Sequence, residues 1–126
     1  VHGHQYGAPV SDIAHALEEG RNVLLKVDVQ GAAQLRTEVT GATFIFIAPG
    51  SLTALGTRLE GRRTESLEER RRRLRDAREE MAQAPLYDYC VINAEGQLEH
   101  TIGQVACIIT AENLRMRRES PVVRVR

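Results

Sequence analysis

The chain has 126 residues, 17 basic against 17 acidic, and zero formal charge at pH 7 with histidine neutral; 42% of its residues are hydrophobic and 4% aromatic. That is room for one small domain, without the net basic balance of a general nucleic-acid binder. No apolar run approaches the roughly 20 residues that a membrane-spanning helix needs, and no basic-then-apolar secretory leader opens the chain.

Residues 1–9 (VHGHQYGAP) read as a loop, in which Gly3 and Gly7 permit unusual backbone angles and Pro9 stops a strand. Ser11 is then expected to cap a short helix, with Ile13, Ala16 and Leu17 on one side and Gly20 as its stop. Residues 23–29 (VLLKVDV) predict a strand buried on both faces, as in a parallel sheet. Gln30-Gly31 turns the chain into a helix over 32–39. Residues 43–48 (TFIFIA) predict a second buried strand, closed by Pro49, and Ser51 caps a helix on which Leu52, Leu55 and Leu59 align.

The stretch 58–80 holds nine of the 17 basic residues. Ser66-Leu67-Glu68-Glu69 has the form of a capping box, and Leu67, Leu74, Ala77, Met81 and Ala84 recur behind it at helical spacing, until Pro85 ends the helix. Two readings stand side by side. In one the segment is a solvated, salt-bridged helix. In the other Arg58, Arg62 and Arg63, before the cap, converge with Arg73 on an anion, because arginine forks match phosphate oxygens. Residues 89–92 (YCVI) predict a third strand ending at Asn93. Residues 97–114 predict the last helix, with Leu98, Ile102, Val105 and Ile109 inward. The tail from Met116 has no helical periodicity and is expected to be loose. This alternation predicts an α/β fold with a parallel sheet. Three strands are few for such a sheet, and the chain starts at Val1 inside a functional-looking loop, so further strands are expected upstream and the chain reads as a fragment.

Asp28 ends the first predicted strand, at the carboxyl edge where ligands bind in parallel sheets. An acid there holds water on Mg²⁺ beside a phosphate, or caps a helix. Strand alternation would put Lys26 on its face as an ion-pair partner. Lys26 is the only lysine, and no G-x-x-x-x-G-K-S/T phosphate loop occurs. Neither does a Ser-His-Asp, Cys-His or HExxH arrangement. Cys90 and Cys107 lie in apolar segments and are expected to be buried free thiols of a reducing compartment. His2, His4, His15 and His100 lack metal-ligand spacing.

Six blocks in order, GHQYG, VLLKVDVQGA, FIFIAPGSL, RLEGRRTES, RRLRDAREEM and YDYCVIN, resemble consecutive blocks of guanylate kinases, with matching order and spacing through about residue 112. The resemblance implies a P-loop NTPase-like α/β fold, a parallel sheet with flanking helices. It would be incomplete here, with the P-loop and the first strands preceding Val1. It also implies transfer of the terminal phosphoryl group of ATP to GMP with Mg²⁺, in the cytoplasm, with no nucleic-acid or membrane partner. By the same resemblance, residues 1–22 end the GMP-binding subdomain, 23–57 and 81–115 are core, 58–80 are lid and lid helix, and 116–126 are a tail. Tyr6 corresponds to a tyrosine on the GMP phosphate, with Gly7 beside it. Lys26 and Asp28 fall on the GMP side, and Asp28 also lies near Mg²⁺ through water. Arg58, Arg62 and Arg73 correspond to catalytic lid arginines that clamp the phosphates, and Arg58, Arg62 and Asn93 fall on the ATP side.

The departures are chemical. Ala8 stands where the family usually has a hydroxyl on guanine, and Lys26, which has no acceptor, where it has an acid. Gln5 replaces a frequent tyrosine, Arg63 a frequent glycine and Ala94 a frequent aspartate. Two other classes remain: a non-catalytic guanylate-kinase-like module that binds phosphopeptides, and a basic-helix nucleic-acid binder. The retained lid arginines favour the kinase.

Overall fold

The computed structural model describes residues 10–50, 66–116 and 119–123. Contacts divide the chain into two units, Val1–Thr43 with Arg115–Arg126, and Phe44–Leu114.

In the first unit, helix α1 (Val10–Glu18) buries Ile13 and half-buries Ala16 and Leu17, the predicted side. Its end is a Schellman turn: Gly20 N–H donates to the Leu17 carbonyl and Arg21 N–H to that of Ala16, both at 3.0 Å. Gly20 takes φ +77°, the left-handed conformation this motif requires. Ser11 lies inside the first turn, not before it as expected.

Helix α2 (Val29–Glu38) starts three residues earlier than predicted, because Asp28 caps it. The expected strand at 23–29 does not form. Residues 21–28 carry no regular structure, and Leu24 is 71% exposed. An apolar run becomes a strand only where a neighbour supplies the ladder, and no described residue pairs with this one. Lys26 and Asp28 therefore do not share a strand face.

β1 (Val39–Thr40) pairs antiparallel with β4 (Val122–Val123), and α1 packs on β4. The tail is thus held at these residues, where a loose end was expected. Gly41, at φ +73°, lets the chain pass residues 119–120: a Cβ there would lie 2.6 Å from the Glu119 carbonyl oxygen.

In the second unit, β2 (Ile45–Pro49) and β3 (Tyr89–Asn93) form the expected parallel pair, in register from Ile45↔Tyr89 to Pro49↔Asn93. The register is set at its start. Phe44 N–H donates to Asp88 Oδ2 at 2.7 Å, and Asp88 N–H donates back to the Phe44 carbonyl at 2.8 Å. Paired residues of a parallel ladder share a face. Phe46 and Ala48 are buried on one, Phe46 edge-on to the Tyr87 ring at 5.0 Å.

Helix α3 (Leu67–Met81) has Ser66 as its N-cap, as predicted, the hydroxyl accepting from Glu69 N–H at 3.2 Å, without the return bond from the Glu69 side chain that a full capping box would add. Leu74, Ala77 and Met81 are half-buried, but Leu67 is 54% exposed, outside the inward stripe expected of it. The helix stops at Met81, and Pro85 sits in the short 3-10 turn Ala84–Leu86. The predicted helix at 52–59 lies outside the described residues.

Helix α4 (Leu98–Leu114) packs on β3 by a stripe that keeps Val105 and Ile109 of the predicted one but not Leu98 and Ile102. Thr101 and Glu112 are buried, with Val105, Ile108 and Ile109 half-buried between them. Leu98 and Ile102 are 61% and 58% exposed. The helix is rotated so that its two polar inward residues meet partners on β3. Cys90 and Cys107 are exposed free thiols, against the expected burial. Among the described residues no helix is long and apolar enough to cross a membrane.

Candidate functional site

In the second unit the candidate site gathers at the carboxyl ends of β2 and β3. Pro49 and Asn93 are register partners there, so both strands deliver the chain to one edge, where parallel sheets place their ligands. The backbone comes close just beyond: a Cβ on Gly50 would lie 3.4 Å from the Ala94 Cα.

A cavity of about 400 Å³ opens beside β2, lined on the strand side by Phe46, Ile47 and Pro49. Helix α3 supplies the other wall through Arg73, Asp76, Ala77, Glu80 and Met81. Residues from both faces of β2 line it and none from β3, so it follows the strand's outer edge. Arg73 thus stands on the exposed shoulder of its helix, beside the strand end. Arg70 and Leu74 turn more toward the protein and are partly buried. Arg71, Arg72 and Arg75 are exposed but line no part of the cavity. The arginine run is therefore not uniform. One member borders a concave, partly apolar wall, and two carboxylates, Asp76 and Glu80, share that wall with it. A guanidinium so placed offers a planar fork of donors to an anion.

Asn93 is half-buried at the end of β3. The buried Thr101 hydroxyl lies 3.0 Å from its Oδ1 and 3.0 Å from the Gln97 carbonyl. Lower on the same face, the Tyr89 hydroxyl donates to Glu112 Oε2 at 2.6 Å.

The first unit holds the other two described candidates. The Asp28 carboxylate accepts from Gly31 N–H at 2.7 Å, so this acid is the N-cap of α2. The cap alternative raised by the sequence is real here. Lys26 is exposed. Tyr6, Gly7, Arg58 and Arg62, with Ala8 and Arg63, lie outside the described residues. Among the described residues no three of histidine, cysteine, aspartate and glutamate come together as a metal cluster.

Sequence reasoning missed Asp76, Glu80 and Thr101. The acids carried a signal, since Arg73, Asp76 and Glu80 are spaced three and seven along one helix and so share a side. Thr101 carried only the oddity of a polar residue inside an apolar helix.

The family model described as guanylate kinase matches residues 1–112.

Proposed function

The chain belongs to the guanylate kinase family, and from that premise we propose that it supplies the lid, the GMP-side acid and the adenosine-side edge of an ATP:GMP phosphotransferase with a P-loop NTPase-like sheet. The family match across residues 1–112 carries this reading, and Arg73 in the lining of the cavity beside β2 supports it.

In this reaction an oxygen of the GMP phosphate attacks the terminal phosphorus of ATP. The bond from that phosphorus to the bridging oxygen breaks, leaving ADP and GDP. Catalysis rests on positioning and on neutralising the charge of the transferred group. Tyr6 donates a hydrogen bond from its phenol to a GMP phosphate oxygen, with Gly7 beside it. Arg58 and Arg62 neutralise the ATP phosphates, and Arg73 meets the phosphoryl group in transfer. Asn93 contacts the adenosine side. Asp28, the N-cap of α2, would be the residue that holds Mg²⁺ through a water. When bound, Mg²⁺ neutralises the phosphate oxygens of ATP. Lys26 sits on the guanine side without an acceptor.

The 126 residues contain no G-x-x-x-x-G-K-S/T loop. As isolated protein they are expected to bind GMP and form no GDP. Joined to a segment carrying that loop, they are expected to form GDP from GMP and ATP in a Mg²⁺-dependent coupled assay. A joined protein that folds and binds phosphopeptide, yet neither binds GMP nor makes GDP, would replace the kinase with the interaction module.

A further inference from the structure

Thr101 is one of two buried polar residues among those described, and it is 6% exposed. Its hydroxyl has one hydrogen and two acceptors within reach, the Gln97 carbonyl and Asn93 Oδ1, each at 3.0 Å. The Gln97 carbonyl already receives the backbone N–H of Thr101 at 3.0 Å. The hydroxyl hydrogen therefore does more at Asn93, whose amide oxygen otherwise loses this partner at a half-buried strand end. An asparagine amide held by its oxygen has its orientation chosen: the NH₂ group points away from the clamp.

We propose that Thr101 is a positioning residue, whose hydroxyl holds the Asn93 amide by Oδ1 and so presents Nδ2 as a donor to a ligand acceptor at the carboxyl edge of β3. The proposal rests on the reading of Asn93 as an adenosine-side contact, so the acceptor is a ring nitrogen or sugar oxygen of that nucleoside. Thr101 comes from the helix that packs on β3, one turn after Gln97. The device thus ties the ligand edge to the seating of α4.

The test uses the ¹⁵N-labelled 126-residue chain, with Thr101→Val, Thr101→Ser, Asn93→Ala and the Thr101→Val/Asn93→Ala pair. Two quantities are read: side-chain ¹⁵N relaxation of the Asn93 amide, and ATP affinity from shifts on titration to millimolar nucleotide. Thr101→Val is expected to loosen the amide and weaken ATP about three- to tenfold, the worth of one neutral hydrogen bond. Thr101→Ser, which keeps the hydroxyl, is expected to restore both. The double variant should bind no worse than Asn93→Ala alone. An Asn93 amide that stays rigid in Thr101→Val overturns the proposal. So does unchanged affinity in Thr101→Val where Asn93→Ala weakens it, and either result leaves the adenosine-side reading of Asn93 intact. No ATP-dependent shift at Asn93 in the unsubstituted chain, or unchanged affinity in Asn93→Ala, removes that reading and the proposal with it.

Discussion

Tyr89 and Glu112 join β3 to α4 through one short bond, the phenol donating to the carboxylate at 2.6 Å. Glu112 is 8% exposed, so water has little access to replace the phenol. Removing one partner of a buried hydrogen bond costs about 1–3 kcal/mol. Tyr89→Phe is therefore expected to lower the urea midpoint by that much stability at an unchanged denaturant slope. A loss below about 0.5 kcal/mol, well under that range, would show that the bond contributes little to holding α4.

Two glycines with nearly the same backbone angle should respond differently to substitution. Gly20 has φ +77° and nothing within 4 Å of the place a Cβ would take, whereas Gly41 has φ +73° and carbonyl oxygens at 2.6 and 2.7 Å from that place. Gly20→Ala then carries only the left-handed penalty, about 1–2 kcal/mol. Gly41→Ala adds a backbone clash and should cost clearly more, with loss of amide protection at Val39 and Thr40, the β1 partners of β4. Thermal unfolding with hydrogen exchange separates the two, and equal losses would deny that the 119–120 backbone is close.

Asp28 combines a cap with a proposed charge role, and two substitutions separate them. Asp28→Asn keeps a side-chain oxygen for Gly31 N–H and should preserve stability to within a few tenths of a kcal/mol, whereas Asp28→Ala should lose about 1 kcal/mol. Both should weaken the Mg²⁺ dependence of activity in the joined protein. If Asp28→Asn keeps full Mg²⁺-dependent activity, Asp28 is a cap alone.

Among the arginines, the cavity separates Arg73 from Arg71 and Arg75, and the family resemblance alone adds Arg62. In the joined protein, Arg73→Ala and Arg62→Ala should each lower kcat by roughly 10²-fold or more, the scale of losing one preorganised charge. Arg71→Ala and Arg75→Ala, exposed and away from the cavity, should change it less than about threefold. Denaturation midpoints should barely move in any of the four. Small, equal losses throughout would return α3 to a solvated surface helix.

Base choice tests Ala8 and Lys26. Without a hydroxyl and an acceptor there, the joined protein should discriminate GMP from AMP poorly, because each unmet polar edge of the base costs about 1–3 kcal/mol. Ala8→Ser with Lys26→Glu should raise the ratio of kcat/KM for GMP over AMP. An unchanged ratio would move guanine recognition to other residues.

The sequence by itself determined what neighbours along the chain settle. Ser66 and Glu69 meet because a serine before a helix reaches three residues on. Gly20 ends α1 because few other residues take its angle without strain. The apolar runs at Ile45–Pro49 and Tyr89–Asn93 became strands because each found the other. The six ordered blocks fixed the family. Tertiary structure decided everything that needed a distant partner. The run at 23–29 looked no less like a strand than the other two, but no described residue supplies its ladder. Val39 was expected to end a helix, and with Thr40 it became a strand because Val122–Val123 lies beside it, with Thr40 and Val122 82 residues apart. Periodicity gave α4 an apolar side, yet the helix turned toward Asn93 and Tyr89, since burying Thr101 and Glu112 against partners satisfies polar groups that would otherwise stay unmet. Which arginine borders a cavity was decided the same way: the helix repeat offers several, and only the cavity shared with β2 selects Arg73.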